Sequence, residues 1–296
     1  MREFILFVAL ALAWGSNWPV VKIGLESAPP FWLATIRFFI SFIALGSVIL
    51  FKRPSYQSIS GNWGKIMLVG SLSYGVSYGF IHWGQNYVSS GTASVLFASI
   101  PFFVAMFSYM MLRSERVTVL KVIGIVVGFA GIVVIYLGDI SLHGEMAIWG
   151  AVVITLASAT AGFTTVFVRK HLRHVDPLLL THTQMIPGFI LLLVMALVFD
   201  DVSALKLNAN TILSTLHLAL VGTAFAFWAF FYLLSRMNAV TLSLVGFVTP
   251  IVALFLGWLI LDESITARLG FGIALVLVGV WFASREPSGS IVSQKS

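Results

Sequence analysis

Three large polar side chains recur every fourth residue in one apolar stretch: Tyr74, Tyr78 and His82. On a helix that spacing puts them on one face. Ser71, Gly75 and Gly79 fall on another face, small enough to let a neighbouring backbone come close. Phenols and an imidazole surrounded by hydrocarbon need partners or water. The large face therefore either lines a cavity or bonds to adjacent helices, and His82, near the end of the stretch, best suits the second role. The same residues contain Gly75-Val76-Ser77-Tyr78-Gly79, which matches the G-x-S-x-G nucleophile elbow of serine hydrolases. An elbow exposes its serine on a strand-to-helix turn. Here no strand precedes it, His82 shares the helix, and no acid stands nearby to orient the histidine. An intramembrane hydrolase using Ser77 is thus the alternative reading, and close packing explains the glycines better. His171, His174 and Asp176 could suggest a metal, but Arg169, Lys170 and Arg173 beside them repel cations.

Four further features could handle a ligand. Asn17 lies within an apolar run, flanked one turn apart by Trp14 and Trp18. It can hold an amide or zwitterion, or bond a neighbouring helix. Arg37 stands several residues inside the next run, where a cation costs roughly 2.5–3.5 kcal/mol at mid-depth. It can pair with Glu26 or meet a carboxylate. Lys22 and Glu26, one turn apart, can pair at the surface. Pro101 and Pro250 each sit near the middle of a run and would free the carbonyls of Phe97 and Gly246. Carriers use such breaks to hold polar substrates, although membrane helices also kink at proline for packing alone. All 11 acidic residues lie in loops or at the ends of apolar runs. No G-x-x-x-x-G-K-[ST] loop is present, so ATP is not a direct energy source within the chain.

Composition says what must position these groups. Of the 296 residues, 59% are hydrophobic and only 9% charged, and the mean hydropathy is +1.01. A water-facing surface cannot be covered with so few charges, so lipid is the solvent. The absence of cysteine excludes disulfides and thiolate metal sites, and no cofactor is implied. The net charge of +6 raises nucleic acid as a partner. The basic residues sit in short loops, however, which is the pattern of a membrane orientation signal. Ala9, Ala11 and Ala13 resemble a signal-peptide cleavage site, but the apolar run continues past them to a length that spans a bilayer.

Long apolar runs give ten spans: Phe4–Gly24, Trp32–Phe51, Ile66–Ile81, Gly91–Leu112, Val119–Leu137, Ile148–Val168, Leu178–Val198, Thr211–Leu234, Val240–Leu261 and Leu269–Ala283. Short connections punctuate them at Pro29-Pro30, Pro54, Ser89-Ser90-Gly91, Gly138-Asp139 and Pro177. The last ten residues read as a disordered tail. Thirteen basic residues fall in loops on one side, from Arg2 and Lys52 to Lys295, and only Lys206 and Arg268 on the other. Both termini are then cytoplasmic.

The second half echoes the first. Trp14-Gly15-Ser16-Asn17, Lys22, Pro30 and Arg37 align at one offset with Ala161-Gly162-Phe163-Thr164, Arg169, Pro177 and Gln184. Pro101 aligns with Pro250, Glu115-Arg116-Val117-Thr118 with Glu263-Ser264-Ile265-Thr266, and Gly124 and Gly131 with Gly272 and Gly279. Five helices is an odd number, so the second copy enters the membrane upside down, as in many secondary transporters. The fold expected is an all-α integral membrane protein of ten transmembrane helices in two inverted five-helix repeats, residues 1–138 and 139–286, followed by the tail 287–296.

This ordered and duplicated pattern resembles the drug/metabolite transporter superfamily, EamA-type members, over nearly the whole chain. The resemblance implies a ten-helix, two-repeat exporter of amino acids, metabolites or drugs, not an enzyme. Its partners would be a small-molecule substrate and the bilayer, with no nucleic acid. The second half departs from the pattern where Ala161 replaces Trp14 and Gln184 replaces Arg37. The expected site is a midplane cavity lined by Asn17, Trp18, Tyr74, Tyr78 and His82 and by Thr164, Thr223 and Phe227, with Pro101, Pro250 and Arg37 as breaks and gates. The more polar first half would orient a head group, and Phe227, Trp228 and Phe231 would hold an apolar part. The topology has a direct check in this cysteine-free chain. Single cysteines at positions 58 and 206 should label from opposite faces of the membrane, and labelling from one face would overturn the inverted arrangement.

Overall fold

The computed structural model describes residues 2–88, 90–112, 118–136, 145–261 and 267–284. These form ten helical spans, and among them there is no strand. The first two are Arg2–Leu25 and Pro30–Lys52. The third is built from Trp63–Gly70, Ser71–Ser77 and Tyr78–Gly84, and its middle piece is π-helical. The fourth is split into Ser90–Phe97 and Ile100–Met111. The fifth is Val119–Tyr136, the sixth Glu145–His171 and the seventh Pro177–Phe199. The eighth runs from Ala209 to Leu234 with π-helical Leu220–Phe225 inside it. The ninth is split into Ala239–Ser243 and Val245–Leu261, and the tenth is Ala267–Ser284. The spans expected from apolar length are all present within a few residues. The aligned Glu115–Val117 and Glu263–Thr266, the Gly138-Asp139 connection and the tail lie outside the described residues.

Local chemistry sets the helix ends. Pro30 and Pro177 each occupy the first turn, where a missing N–H costs nothing. Asp176 caps the seventh span by accepting from the N–H groups of Leu178 and Leu179 at 2.9 and 3.1 Å. The second span has only Pro29 before it and no cap of its own. Asp200, at the far end of the seventh span, accepts from its Phe31 and Trp32 N–H groups at 2.8 and 2.9 Å. Burial pushes the Asp200 carboxyl above the usual carboxylate range, against those two donors. One acid thus ties together the equivalent helices of the two halves.

The equivalent helices pack in opposite directions. In the second and seventh spans, Phe31 meets Phe199, whereas Phe42, near the other end, stacks on His182 at 4.3 Å. In the fifth and tenth, a Cβ on Gly131 would lie 2.7 Å from the carbonyl oxygen of Gly272, and one on Gly279 would lie 2.6 Å from that of Gly124. The repeated glycines therefore interlock early against late. Related helices that run antiparallel make the two halves inverted copies. The loops agree: Lys206 and Asn208 bond Ser27 at one end of the bundle, and Asn62 bonds His174 at the other.

Two local expectations need correction. Pro101 does not kink a continuous helix. It sits in the first turn of Ile100–Met111, just after a break at Ala98 and Ser99. The Phe97 carbonyl accepts instead from Ser158 Oγ at 3.3 Å. Pro250 does lie inside a helix, and the Gly246 carbonyl accepts from Thr249 Oγ1 at 3.2 Å. Hydroxyls on the protein occupy both carbonyls, as hydrocarbon surroundings demand.

Ser77 donates to the Ala157 carbonyl at 2.9 Å, a bond between the third and sixth spans. A Cβ on Gly75 would stand 2.6 Å from Leu191 Cδ2, whereas one on Gly79 would stand 3.1 Å from the flexible Met195 Sδ and at ordinary contact distance from Phe31 and Leu192. The close-packing glycine is therefore Gly75 rather than Gly79. Gly75→Leu should lose more than the 1–3 kcal/mol typical of overpacking, Gly79→Ala should be tolerated, and Ser77→Ala should cost about 0.6 kcal/mol. Thermal unfolding of the purified variants in detergent checks the order, and equal sensitivity at the two glycines would refute the packing assignment.

Candidate functional site

Between the halves lies a cavity of about 90 Å³. The first, second, third, fourth, sixth, eighth and ninth spans all contribute to its wall. Much of that wall obeys the internal repeat. Trp14, Asn17, Trp18 and Val21 line it from the first span, and their counterparts Ala161, Thr164, Thr165 and Val168 line it from the sixth. Tyr78 and Ile81 are matched by Phe227 and Phe230, and Phe97 and Ile100 by Gly246 and Thr249. A cavity whose wall maps onto itself sits on the pseudo-twofold axis.

The third span presents a different face from the one expected. Val69, Ser73, Ser77, Ile81 and Gln85 reach the cavity, spaced by four, with Tyr78 beside them. Tyr74 and His82 do not line it. Tyr74 is fully buried between the rings of Phe38 at 5.1 Å and Phe227 at 4.5 Å. His82 Nδ1 contacts the Tyr78 carbonyl at 2.9 Å. The chosen stripe was one residue out of register. Size and aromaticity suggested Tyr74 and His82, while the smaller Ser73 and Ser77 carried the same periodicity. Gln85, at the end of the span, had the spacing but was not singled out.

Arg37 is the charged group of the site. Its side chain is buried and reaches the cavity wall. It enters the π-helical part of the eighth span, where Nη2 donates to the Gly222 carbonyl at 3.1 Å and Nε donates to Thr223 Oγ1. Thr223 in turn donates to the carbonyl of Leu218, five residues back, at 2.8 Å. Thr223 therefore stands behind the wall as the support of Arg37. The guanidinium also lies over the Tyr78 ring, 4.8 Å from its centroid. With the Asn17 amide turned so that its oxygen faces Arg37, that oxygen accepts from Nη2 and its nitrogen donates to the Ala13 carbonyl, both at 3.3 Å. A Cβ on Gly222 would overlap the Asn17 amide, so a larger residue there would push that amide out of its place beside Arg37. Arg37 does not pair with Glu26, and Lys22 gives its proton to the Gln85 carbonyl at 2.9 Å instead of to Glu26.

Aromatic rings supply much of the apolar wall. Trp14 meets Phe227 edge-on at 5.6 Å and Phe230 at 5.2 Å, and Trp18 meets Phe97 at 5.6 Å. Phe230 and Phe231 line the cavity, but Trp228 does not. Among the described residues, Trp14 Nε1 and both amide atoms of Gln85 have no hydrogen-bond partner. Pro101 and Pro250 stand behind the wall, next to Ile100 and Thr249, which line it.

The comparisons with known proteins agree with this architecture. The transporter YoaV of Bacillus subtilis is 30% identical over 275 residues, covering 93% of this chain and 94% of that one. The inner membrane transporter YedA of Escherichia coli K12 is 28% identical over 290 residues, covering 94% and 92%. A crystal structure sharing 16% identity superposes with a TM-score of 0.82, covering 96% of this chain and 97% of the other, which shows a common fold. The EamA-like transporter family model matches twice, over residues 1–137 and 148–285, one match in each inverted half, and the chain belongs to that family of multi-pass membrane transporters.

Proposed function

We propose that the protein is a secondary active transporter in the cell membrane. It exports small amphipathic metabolites, such as amino acids or related compounds, by alternating access, and both termini are cytoplasmic. The observation that carries this reading is the cavity wall that maps onto itself under the inverted repeat. Two inverted halves that rock about a shared midplane site exchange which end is open without rebuilding the site.

Asn17, Trp18, Tyr78, Thr164 and Phe227 contact the substrate in this reading. Tyr74, His82 and Thr223 support them from behind. Arg37 and the breaks near Pro101 and Pro250 accommodate the movement. The first half supplies Asn17, Arg37 and Tyr78 where the second supplies Thr164, Gln184 and Phe227, so the head group is oriented by the first half. Phe227, Phe230 and Phe231 hold the apolar part. Arg37 is a single cation at depth, whereas a phosphorylated sugar calls for a cluster of them.

Cellular efflux and reconstituted transport against a metabolite panel test the reading. Tyr78→Ala should lower transport by more than tenfold with folded protein retained, because it removes both the ring against Arg37 and part of the wall. Val126→Ala, on a half-exposed position of the fifth span, should leave transport near wild type. Unchanged transport in Tyr78→Ala, or none of any panel compound by the wild type, would refute the proposal.

A further inference from the structure

Besides the indole N–H of Trp14, the cavity wall carries two polar groups that the protein leaves incomplete. The first is the charge of Arg37. Its partners are the Gly222 carbonyl, the Thr223 hydroxyl, the Tyr78 side chain and, with the Asn17 amide turned toward it, that amide's oxygen, all neutral, so its charge is not cancelled. Among the described residues no carboxylate pairs with it, and the 11 acidic residues all lie in loops or at span ends. The second is the side-chain amide of Gln85, fully buried, lining the cavity, and without a partner for either its oxygen or its nitrogen. Its backbone carbonyl is held by Lys22, so the side chain is fixed at its root and free at its tip.

The two groups lie at different depths. Arg37 sits on the Tyr78 ring, and Gln85 is seven positions further along the same span, about 10 Å by helix rise. The wall they share also carries the apolar and aromatic side chains of Trp14, Trp18, Ile81 and Phe97.

We infer that Arg37 and Gln85 are the two anchors of the substrate site and select a carboxylate-bearing molecule with a neutral hydrogen-bonding group at its other end, up to about 10 Å away across an apolar middle. This rests on the transport reading above and narrows its substrate class. The carboxylate supplies the charge that Arg37 lacks, in a dry site where such a pair is strong. The far group takes the Gln85 amide, which as donor and acceptor at once accommodates a hydroxyl or an amide. A substrate lacking that group leaves the Gln85 amide buried and unbonded, and sites of this kind discriminate strongly against such analogues.

Three matched probes separate the anchors: para-hydroxyphenylpropionate, phenylpropionate and para-hydroxyphenylpropionamide. Binding to the full chain in lipid nanodiscs is measured by titration calorimetry. The hydroxylated acid should bind at least tenfold more tightly than its amide and at least fivefold more tightly than the acid without the hydroxyl. Gln85→Met should equalise the two acids, and Arg37→Gln should equalise the acid and the amide. Equal wild-type affinities for acid and amide would overturn the Arg37 anchor. A hydroxyl preference that survives Gln85→Met would overturn the Gln85 anchor, as would failure of that variant to fold, because an amide with no partner in the empty protein should be dispensable for folding. Binding of none of the three would overturn the substrate class, while efflux of other panel compounds would leave the transport reading standing.

Discussion

A carbonyl in hydrocarbon cannot turn to water, and this constraint shapes both the fold and the site. In the eighth and fourth spans, where the helix departs from regular α geometry, side chains from other spans take the carbonyls there. Arg37 reaches the Gly222 carbonyl in the π-helical part of the eighth span. Ser41, one turn along from Arg37, donates to the Ala219 carbonyl of that same span at 2.8 Å. Ser158 takes the Phe97 carbonyl at the break of the fourth. Each of these bonds crosses from one half to the other. Average interhelical hydrogen bonds in membranes are weak, about 0.6 kcal/mol, so such contacts specify the docking of the halves without locking them.

The two π-helical segments occupy equivalent places in the third and eighth spans. They widen each helix where it faces the other half. The eighth span opens toward Arg37, which fills the widening. The equivalent of Arg37 is Gln184, also fully buried, whose side-chain amide has no partner among the described residues. Glycine does the spacing on that side: a Cβ on Gly188 would overlap Tyr74, and one on Gly70 would overlap the Gln184 backbone. One geometry is thus used twice, with a charge in one copy and a neutral amide in the other.

Much of the fold was legible because lipid reduces it to length and hydropathy. Ten apolar runs gave ten spans, and the odd number of spans per half gave the inversion, which the interlocking of Gly124 and Gly131 with Gly279 and Gly272 makes physical. The glycine register was visible in sequence because a backbone contact tolerates no other residue. The π-helical segments were not legible, because no residue type demands an i to i+5 bond. The Pro101 break was misplaced for a related reason. A proline in the first turn of a new helix and one inside a continuous helix look alike until the hydroxyl of Ser158, far away in sequence, is seen to take the freed carbonyl.

The candidate site was half legible. Asn17, Trp18, Thr164 and Phe227 were legible because the repeat carries them, and most of the cavity wall is lined in equivalent pairs. Arg37 stood out by its cost alone, though its partners did not. Gly222 and Thr223 are ordinary residues whose importance comes from the backbone shape around them. Ser73, Ser77 and Gln85 were not legible beside Tyr74 and His82, because size and aromaticity mark the stripe one register away. A cavity in lipid is made where a helix face is small and polar enough to be left uncovered, while large aromatic groups such as Tyr74 fill the space behind it. The residues that look most chemical in such a sequence are therefore often the ones that hold the wall up, and the modest side chains between them meet whatever enters.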